Sequence, residues 1–235
     1  MNGDVARGLE AAVDALEDDA DAWVGILTAN TEGQSRPVFC AGADLKVVES
    51  GDSAAMYTKR GGWGGFVFRE RTKPIIAAVD GLATAGGMEL LLACDLAVAT
   101  TRSSFGLAEV KRNLIAAAGG LFRLPRAIGR SAAMEAILTG EPIPAQRAYD
   151  LGLICRLVEP GEALAEAHRL AAQIAANAPL AVRASRQVVL AADDADESTL
   201  RRLSSSLLRD VMAADDTAEG LRAFIEKRPP RWTGR

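Results

Sequence analysis

Two carboxylates and two crowded turns carry the sequence's candidate chemistry. Glu89 stands early in "TAGGMELLLACDLAVA" (Thr84–Ala99), and Glu109 follows twenty residues later in "SFGLAEVKRN". Glu89 falls in the first turn of an otherwise apolar helix, where a glutamate rarely stays unless it is paired or used. The same position complements a helix dipole, a purely structural role. Glu109 lies beside Lys111 and Arg112, so a surface ion pair is its structural alternative. The turns are "CAGADLK" (Cys40–Lys46) and "TAGG" (Thr84–Gly87), each closing an apolar strand and opening a helix. Small residues there leave backbone N–H groups uncovered, and a following helix supports donation to an anion. They also simply permit close packing, which is enough to explain either turn alone. Two such donors meeting at one carbonyl oxygen would stabilise an enolate or a tetrahedral anion. Two carboxylates beside them suit general acid–base work.

The elements that must position these groups are legible in outline. Val5, Leu9, Ala12, Val13 and Leu16 share one helical face, so the chain opens in an amphipathic helix. "WVGILTA" (Trp23–Ala29) reads as a buried strand, "SRPVF" leads into the first turn, and "KPIIAAVDG" is a second apolar strand with Pro74 at its start. "GGMELLLACDL" reads as a buried helix and "AVAT" as a third strand. Strands with helices between them favour a parallel, buried sheet. Between the first turn and Pro74, "ESGDSAAMYTKRGGWGG" is polar, punctuated by glycine and irregular, with a mobile Gly-rich end expected. From Gly119 the pattern is helical, with only "ICRLVEP" looking extended. "SAAMEAILTG" carries a Ser131 cap and a closing Gly140, and "PAQRAYDLG" runs from Pro144 to Gly152. Longer helices are expected over 162–177, 179–191, 198–213 and 217–227. The expected division is a mixed α/β core over 1–175 and a helical region over 176–235.

Composition narrows the function. Of 235 residues, 49% are hydrophobic and 25% charged, ordinary values for a globular chain with a sizeable core. A net charge of −4 leaves no electrostatic footprint for nucleic acid. No apolar run approaches the ~20 residues of a membrane span, and "MNGDVARGLE" is not a signal peptide. Cys40, Cys94 and Cys155 have neither metal spacing nor the density of a disulfide framework, which fits a reduced, cytoplasmic setting. The only histidine, His168, sits in a distant helix and reads as a surface or packing residue.

"FCAGADLK", "KPIIAAVDGLATAGGMELLLACDLAVAT", "FGLAEVKRNLIAAAGG" and "EGLRAFIEKRPPRW" occur in this order and spacing. On these stretches the chain resembles the enoyl-CoA hydratase/isomerase (crotonase) superfamily, from Trp23 to the end. The resemblance implies an α/β spiral of ββα units with a helical C-terminal region that assembles trimers, or dimers of trimers. It implies that the N–H groups of Ala43 and Gly86 bind the thioester oxygen and that Glu89 and Glu109 handle water and protons. It places the CoA thioester against Ala41, Ala43, Asp44, Leu45, Lys46 and Gly86, with Phe224 and Lys227 reaching the nucleotide across a subunit boundary. CoA is then part of the substrate, and neither a separate cofactor nor a metal is expected.

Three departures stand out. Ala85 replaces the first glycine of the family's usual Gly-Gly-Gly turn, and Leu107-Ala108 stands where hydratases often carry Gln-Pro. The strand pair with which relatives open is expected to be missing ahead of "MNGDVARGLEAAVD". The implied activity is hydration of a trans-2-enoyl-CoA, as in fatty acid or related acyl-CoA degradation. A Δ3,Δ2-enoyl-CoA isomerase, another acyl-CoA branch of the family, or a noncatalytic CoA-binding assembly subunit are the alternatives.

Overall fold

Asn2 starts the first helix because its side-chain oxygen accepts from Val5 N at 3.0 Å, satisfying an orphan donor of the first turn. The computed structural model describes residues 1–235, the side chain of Leu45 excepted. Helix α1 (Gly3–Asp18) buries Ala6 and Val13, with Leu9 and Leu16 half-buried beside them. Val5 and Ala12 are exposed instead. They sit one residue before Ala6 and Val13, about 100° round the helix, and so fall off the buried stripe.

Three ββα units follow. The first is β1 (Gly25–Thr28), β2 (Val38–Cys40) and α2 (Leu45–Glu49). A small antiparallel hairpin, β3 (Tyr57–Thr58) with β4 (Gly62–Trp63), intervenes. The second unit is β5 (Ile75–Val79), β6 (Leu82–Thr84) and α3 (Gly86–Ala93). The third is β7 (Leu96–Thr100), β8 (Ser104–Gly106) and, after a 3-10 turn over Glu109–Arg112, α4 (Gly120–Ile128). Then come α5 (Arg130–Thr139), β9 (Ile143–Pro144), α6 (Ala145–Asp150), β10 (Arg156–Val158) and α7 (Ala163–Ala175). Helices α8 (Pro179–Ala191), α9 (Glu197–Met212) and α10 (Asp215–Glu226) end the chain.

The first strand of each unit joins an all-parallel sheet ordered β1-β5-β7-β10. The second strand joins a sheet ordered β2-β6-β8-β9, in which only β9 is antiparallel. Each unit advances one place in both sheets, which makes a spiral. Strand β5 shows why its sequence is continuously apolar. Ile75, Ala77 and Val79 enter the main core, while Ile76 and Ala78 pack with Val98, Ala163 and Ala167 beneath α7. With both faces covered, no alternation survives.

Some expectations need correction. The irregular polar stretch is well packed: Met56, Trp63, Phe66 and Val67 are all buried. Gly62, Gly64 and Gly65 take φ of +66°, +64° and +66°, and these tight turns bring Trp63 and Phe66 inward together. Ser131 lies inside α5, whose N-cap is Gly129 at φ +80°, so α4 passes directly into α5. The helical half also holds a short edge strand, β9, tolerant of Pro144 because its outer side needs no donor.

The C-terminal helices are tied to the core at Asp95. Its Oδ1 accepts from Arg186 Nε at 2.7 Å, and its Oδ2 accepts from Ile75 N at 2.8 Å and Arg71 Nη2 at 3.1 Å. Helix α9 packs on α8 yet holds no fully buried residue. Among the described residues no helix is long and apolar enough to cross a membrane.

Candidate active site

Strands β2 and β6 are parallel neighbours, so the turns that follow them emerge at the same end of the sheet. The two turns touch. A Cβ on Gly42 would lie 3.0 Å from Ala85 Cβ and 3.3 Å from Gly86 N. One on Gly87 would fall 1.9 Å from the Cys40 carbonyl oxygen. Glycine alone allows that approach, and Gly42 also needs its φ of +92°. Asp44 caps α2 by accepting from Lys46 N at 3.0 Å, while its own N–H donates to Met1 O at 2.8 Å. The N–H groups of Ala43 and Gly86 donate to no protein acceptor among the described residues. Gly86 is the first residue of α3, where the partial positive charge of the helix is greatest.

Ala85 is strained. Its φ and ψ are 52° and −129°, a region that a Cβ disfavours at about 1–3 kcal/mol. Its N–H donates to Gly106 O at 2.8 Å, and its carbonyl accepts from Met88 N and Glu89 N, so neighbours hold it there. Ala85→Gly is therefore expected to stabilise the fold by about 1 kcal/mol after the added freedom of the unfolded chain. The melting temperature should rise by about 2–4 °C for a chain of this size. A melt at or below the wild-type temperature would show that the strain is absorbed elsewhere.

Trp63 was not singled out by the sequence reading, yet its indole covers Gly86: a Cβ there would lie 2.0 Å from the ring. The available signal was one large aromatic residue set among glycines in "GGWGG".

The carboxylates differ in their support. Glu89 is 3% exposed, and its Oε1 accepts from Gly120 N at 3.0 Å. The first N–H of α4 thus holds it. Burial pushes its pKa up and the charge of Glu109 adds to the rise, against the N–H groups of Gly120 and Ala118 and the charge of Arg123. Glu109 is half-buried, and its Oε2 is enclosed with no hydrogen-bond partner among the described residues. Burial raises its pKa too, with Arg112 opposing. Lys111 is not its partner, because that ammonium binds Glu141 Oε1 at 2.6 Å. One carboxyl group is held by a backbone donor and its neighbour is left free, an arrangement suited to moving a proton.

The family model for enoyl-CoA hydratase/isomerase matches residues 1–235. The chain belongs to that family. It is 35% identical to a mitochondrial methylglutaconyl-CoA hydratase of Mus musculus, over all of this chain and 75% of the relative. It is also 35% identical to a carnitinyl-CoA dehydratase of Proteus mirabilis, over 94% of this chain and 85% of the relative. Among solved structures, an enoyl-CoA hydratase of Mycobacterium marinum is similar at a TM-score of 0.93 and 45% identity, covering 100% of this chain and 90% of the other. One from Mycobacterium tuberculosis H37Rv gives 0.93 and 46% with the same coverage. The crotonase fold expected from the sequence is therefore the fold observed.

The remaining expected site residues of this crotonase-family chain are spread more widely. Ala41 and Lys46 are exposed at the first turn, Ala43 and Asp44 are half-buried, and the Leu45 side chain lies outside the described residues. Phe224 is 85% exposed, and Lys227, at φ +54°, ends α10. No hydrogen bond or ion pair among the described residues joins either to the two turns. His168 is exposed on α7. A cavity of about 1010 Å³ opens between residues 67–72 and helices α8 and α9. Its lining includes Val67, Phe68 and Arg123 but neither Glu89 nor Glu109.

Proposed function

We propose that this chain is an enoyl-CoA hydratase that adds water across the trans-2 double bond of an acyl-CoA thioester. The carrying observation is the pairing of buried Glu89 with half-buried Glu109, one carboxyl held by Gly120 N and the other with its enclosed Oε2 unpartnered among the described residues. Two abutting turns with free N–H groups stand beside it. In this reading the thioester oxygen accepts from Ala43 N and Gly86 N, which draws negative charge onto that oxygen as the β-carbon becomes electrophilic. Glu89 and Glu109 hold the water whose oxygen bonds to Cβ. Its hydroxyl stays there, and Glu109 returns the proton to Cα. An isomerase can work with one carboxylate, which would leave the second without a task. The named relatives differ in acyl group and share the CoA thioester, so the proposal names α,β-unsaturated acyl-CoA as the substrate class. CoA arrives as part of the substrate, against Ala41, Asp44, Leu45 and Lys46, with Phe224 and Lys227 supplied by a neighbouring copy. No further cofactor or metal enters the scheme.

The test is loss of the conjugated enoyl-thioester absorbance of crotonyl-CoA, measured beside CoA binding. Turnover supports the hydratase. Binding without turnover of crotonyl-CoA or a 3-enoyl-CoA supports a noncatalytic CoA-binding subunit.

Assembly into a trimer or a dimer of trimers belongs to the same reading. Leu208 is 60% exposed, Leu221 61%, Ile225 78% and Phe224 85%, an apolar surface on α9 and α10. Leu200, Leu203, Leu207 and Val211 are instead half-buried, so the apolar residues of α9 divide between chain core and open surface. Light scattering at micromolar concentration should give three or six times the chain mass of 24.7 kDa. A single species at that chain mass defeats the assembly.

A further inference from the structure

Arg123 spans the space between the candidate site and the large cavity. Its Nη2 donates to Val67 O at 2.6 Å, and its Nη1 reaches Ala118 O at 3.4 Å. The guanidinium lies directly on Gly119, where a Cβ would fall 2.3 Å from Nη1 and where φ is +116°. Phe68 and Phe122 flank it, with ring centroids at 5.5 and 5.4 Å. The residue after Gly119 is Gly120, whose N–H holds Glu89 Oε1. No direct ion pair joins Arg123 to Glu89 among the described residues, so any influence on Glu89 passes through the turn and through the charge.

We propose that Arg123 is a positioning residue for Glu89: by binding the Val67 and Ala118 carbonyls it fixes the 118–120 turn that orients the carboxylate. This rests on the reading of Glu89 as a proton-handling group. The groups that face Glu89 are few. Glu109 approaches from the 3-10 turn and Arg123 from α4. Arg71, Arg126 and Glu89 in turn face Arg123. Removing Arg123 therefore removes a cation that favours the ionised Glu89 and leaves the Glu109 repulsion in place. The glycine pair makes the turn dependent on that tie. Gly119 has no side chain with which to hold its own conformation, and its space is occupied by the guanidinium. Arg123 also connects the turn to Val67 and Phe68, so a molecule in the cavity would touch the same tie.

Arg123→Met and Arg123→Lys separate tether from charge. In Arg123→Met, kcat for crotonyl-CoA should fall by about tenfold to a hundredfold, the cost of a small misplacement. KM should stay within about twofold, and the Glu89 titration midpoint should move up. Carbon-13 titration of labelled glutamate carboxyls, assigned with Glu89→Gln, reads that midpoint without any turnover. Arg123→Lys keeps the charge but loses the planar fork whose two nitrogens reach Val67 O and Ala118 O separately, so its midpoint should stay near wild type while the kcat loss remains. Rates are compared per folded protein, and if Arg123→Met does not fold, Arg123→Lys decides. Wild-type kcat in Arg123→Lys, or wild-type kcat and Glu89 midpoint in Arg123→Met, overturns the proposal. If wild type hydrates no enoyl-CoA, the hydratase reading fails by itself, and the Gly120 amide, which donates to Glu89 Oε1, still decides the Arg123 tie: a shifted Gly120 N–H resonance in Arg123→Lys supports it and an unchanged one ends it.

Discussion

Glu89→Gln and Glu109→Gln should each lower kcat for crotonyl-CoA hydration by at least about a hundredfold. Glutamine keeps the shape and hydrogen-bonding reach of glutamate but cannot exchange the proton, and losing a general acid or base costs about 10²–10⁴-fold. The double variant should be only modestly worse than the poorer single, because groups that handle one water act as a unit. KM should change little, since the proposed oxyanion donors belong to the backbone. If Glu109 delivers the α-proton, Glu109→Gln should also suppress exchange of the Cα hydrogen with deuterated solvent during reversible turnover. Near wild-type hydration by Glu109→Gln would return this residue to a structural role and move the isomerase ahead.

The same substitutions carry a stability signature. Both carboxyl groups have raised pKa values, for which burial is the leading cause. A carboxyl whose folded pKa exceeds its unfolded one binds more protons folded than unfolded. Stability contributed by each therefore falls as pH climbs from the unfolded pKa through the folded one, and the deficit persists at neutral pH. Glutamine removes the charge and, at position 89, can still accept from Gly120 N. The Glu89→Gln protein should accordingly be inactive yet more stable at neutral pH, with the advantage shrinking towards acid. A thermal melt series across that range reads the sign directly. Loss of stability at neutral pH would mean that Glu89 is a structural acceptor whose charge the fold needs.

How far the sequence reaches depends on what fixes each feature. The β5 strand was legible because both its faces are covered, which forces a continuous apolar run on Ile75–Val79. The turns were legible because close backbone approach excludes side chains, and Gly42 and Gly87 record that in their identity. Local chemistry of this kind appears in local sequence. The packing of Trp63 on Gly86 does not, because it joins a hairpin to a helix more than twenty positions away. The holding of Glu89 by Gly120 is equally remote, at a separation of 31 residues. The rotation of the α1 stripe, with Ala6 preferred to Val5, depends on which face meets the remote 53–65 segment, where the Ala6 carbonyl lies against Gly65. Hydrophobicity alone ranks the valine first and misplaces it. Even Ala85 is informative, since an alanine at positive φ survives only where hydrogen bonds on both sides hold it.

Gly87→Ala should damage both the fold and the candidate site. The new Cβ would lie 1.9 Å from the Cys40 carbonyl oxygen and 2.6 Å from its carbon, both backbone atoms. No rotamer change relieves such an overlap. The start of α3 must instead move away from the end of β2, at a typical overpacking cost of about 1–3 kcal/mol. That movement separates the two turns, and with them the Ala43 N and Gly86 N that the proposed reading sets on one oxygen. Losing one oxyanion donor typically costs about 10²–10³ in kcat, and the same order is expected here. A loss of stability accompanies it, unlike the gain expected for Glu89→Gln. KM should rise as well, because in the proposed reading the donors also meet the ground-state thioester oxygen. Gly8→Ala supplies the control: nothing lies within 4 Å of its added Cβ on exposed α1. It should leave kcat unchanged and stabilise the helix by about 0.5–1 kcal/mol. If Gly87→Ala folds and retains kcat within about threefold of wild type, the contact between the turns does not hold the donors. The assignment of Gly86 N to the thioester oxygen would then fall with it.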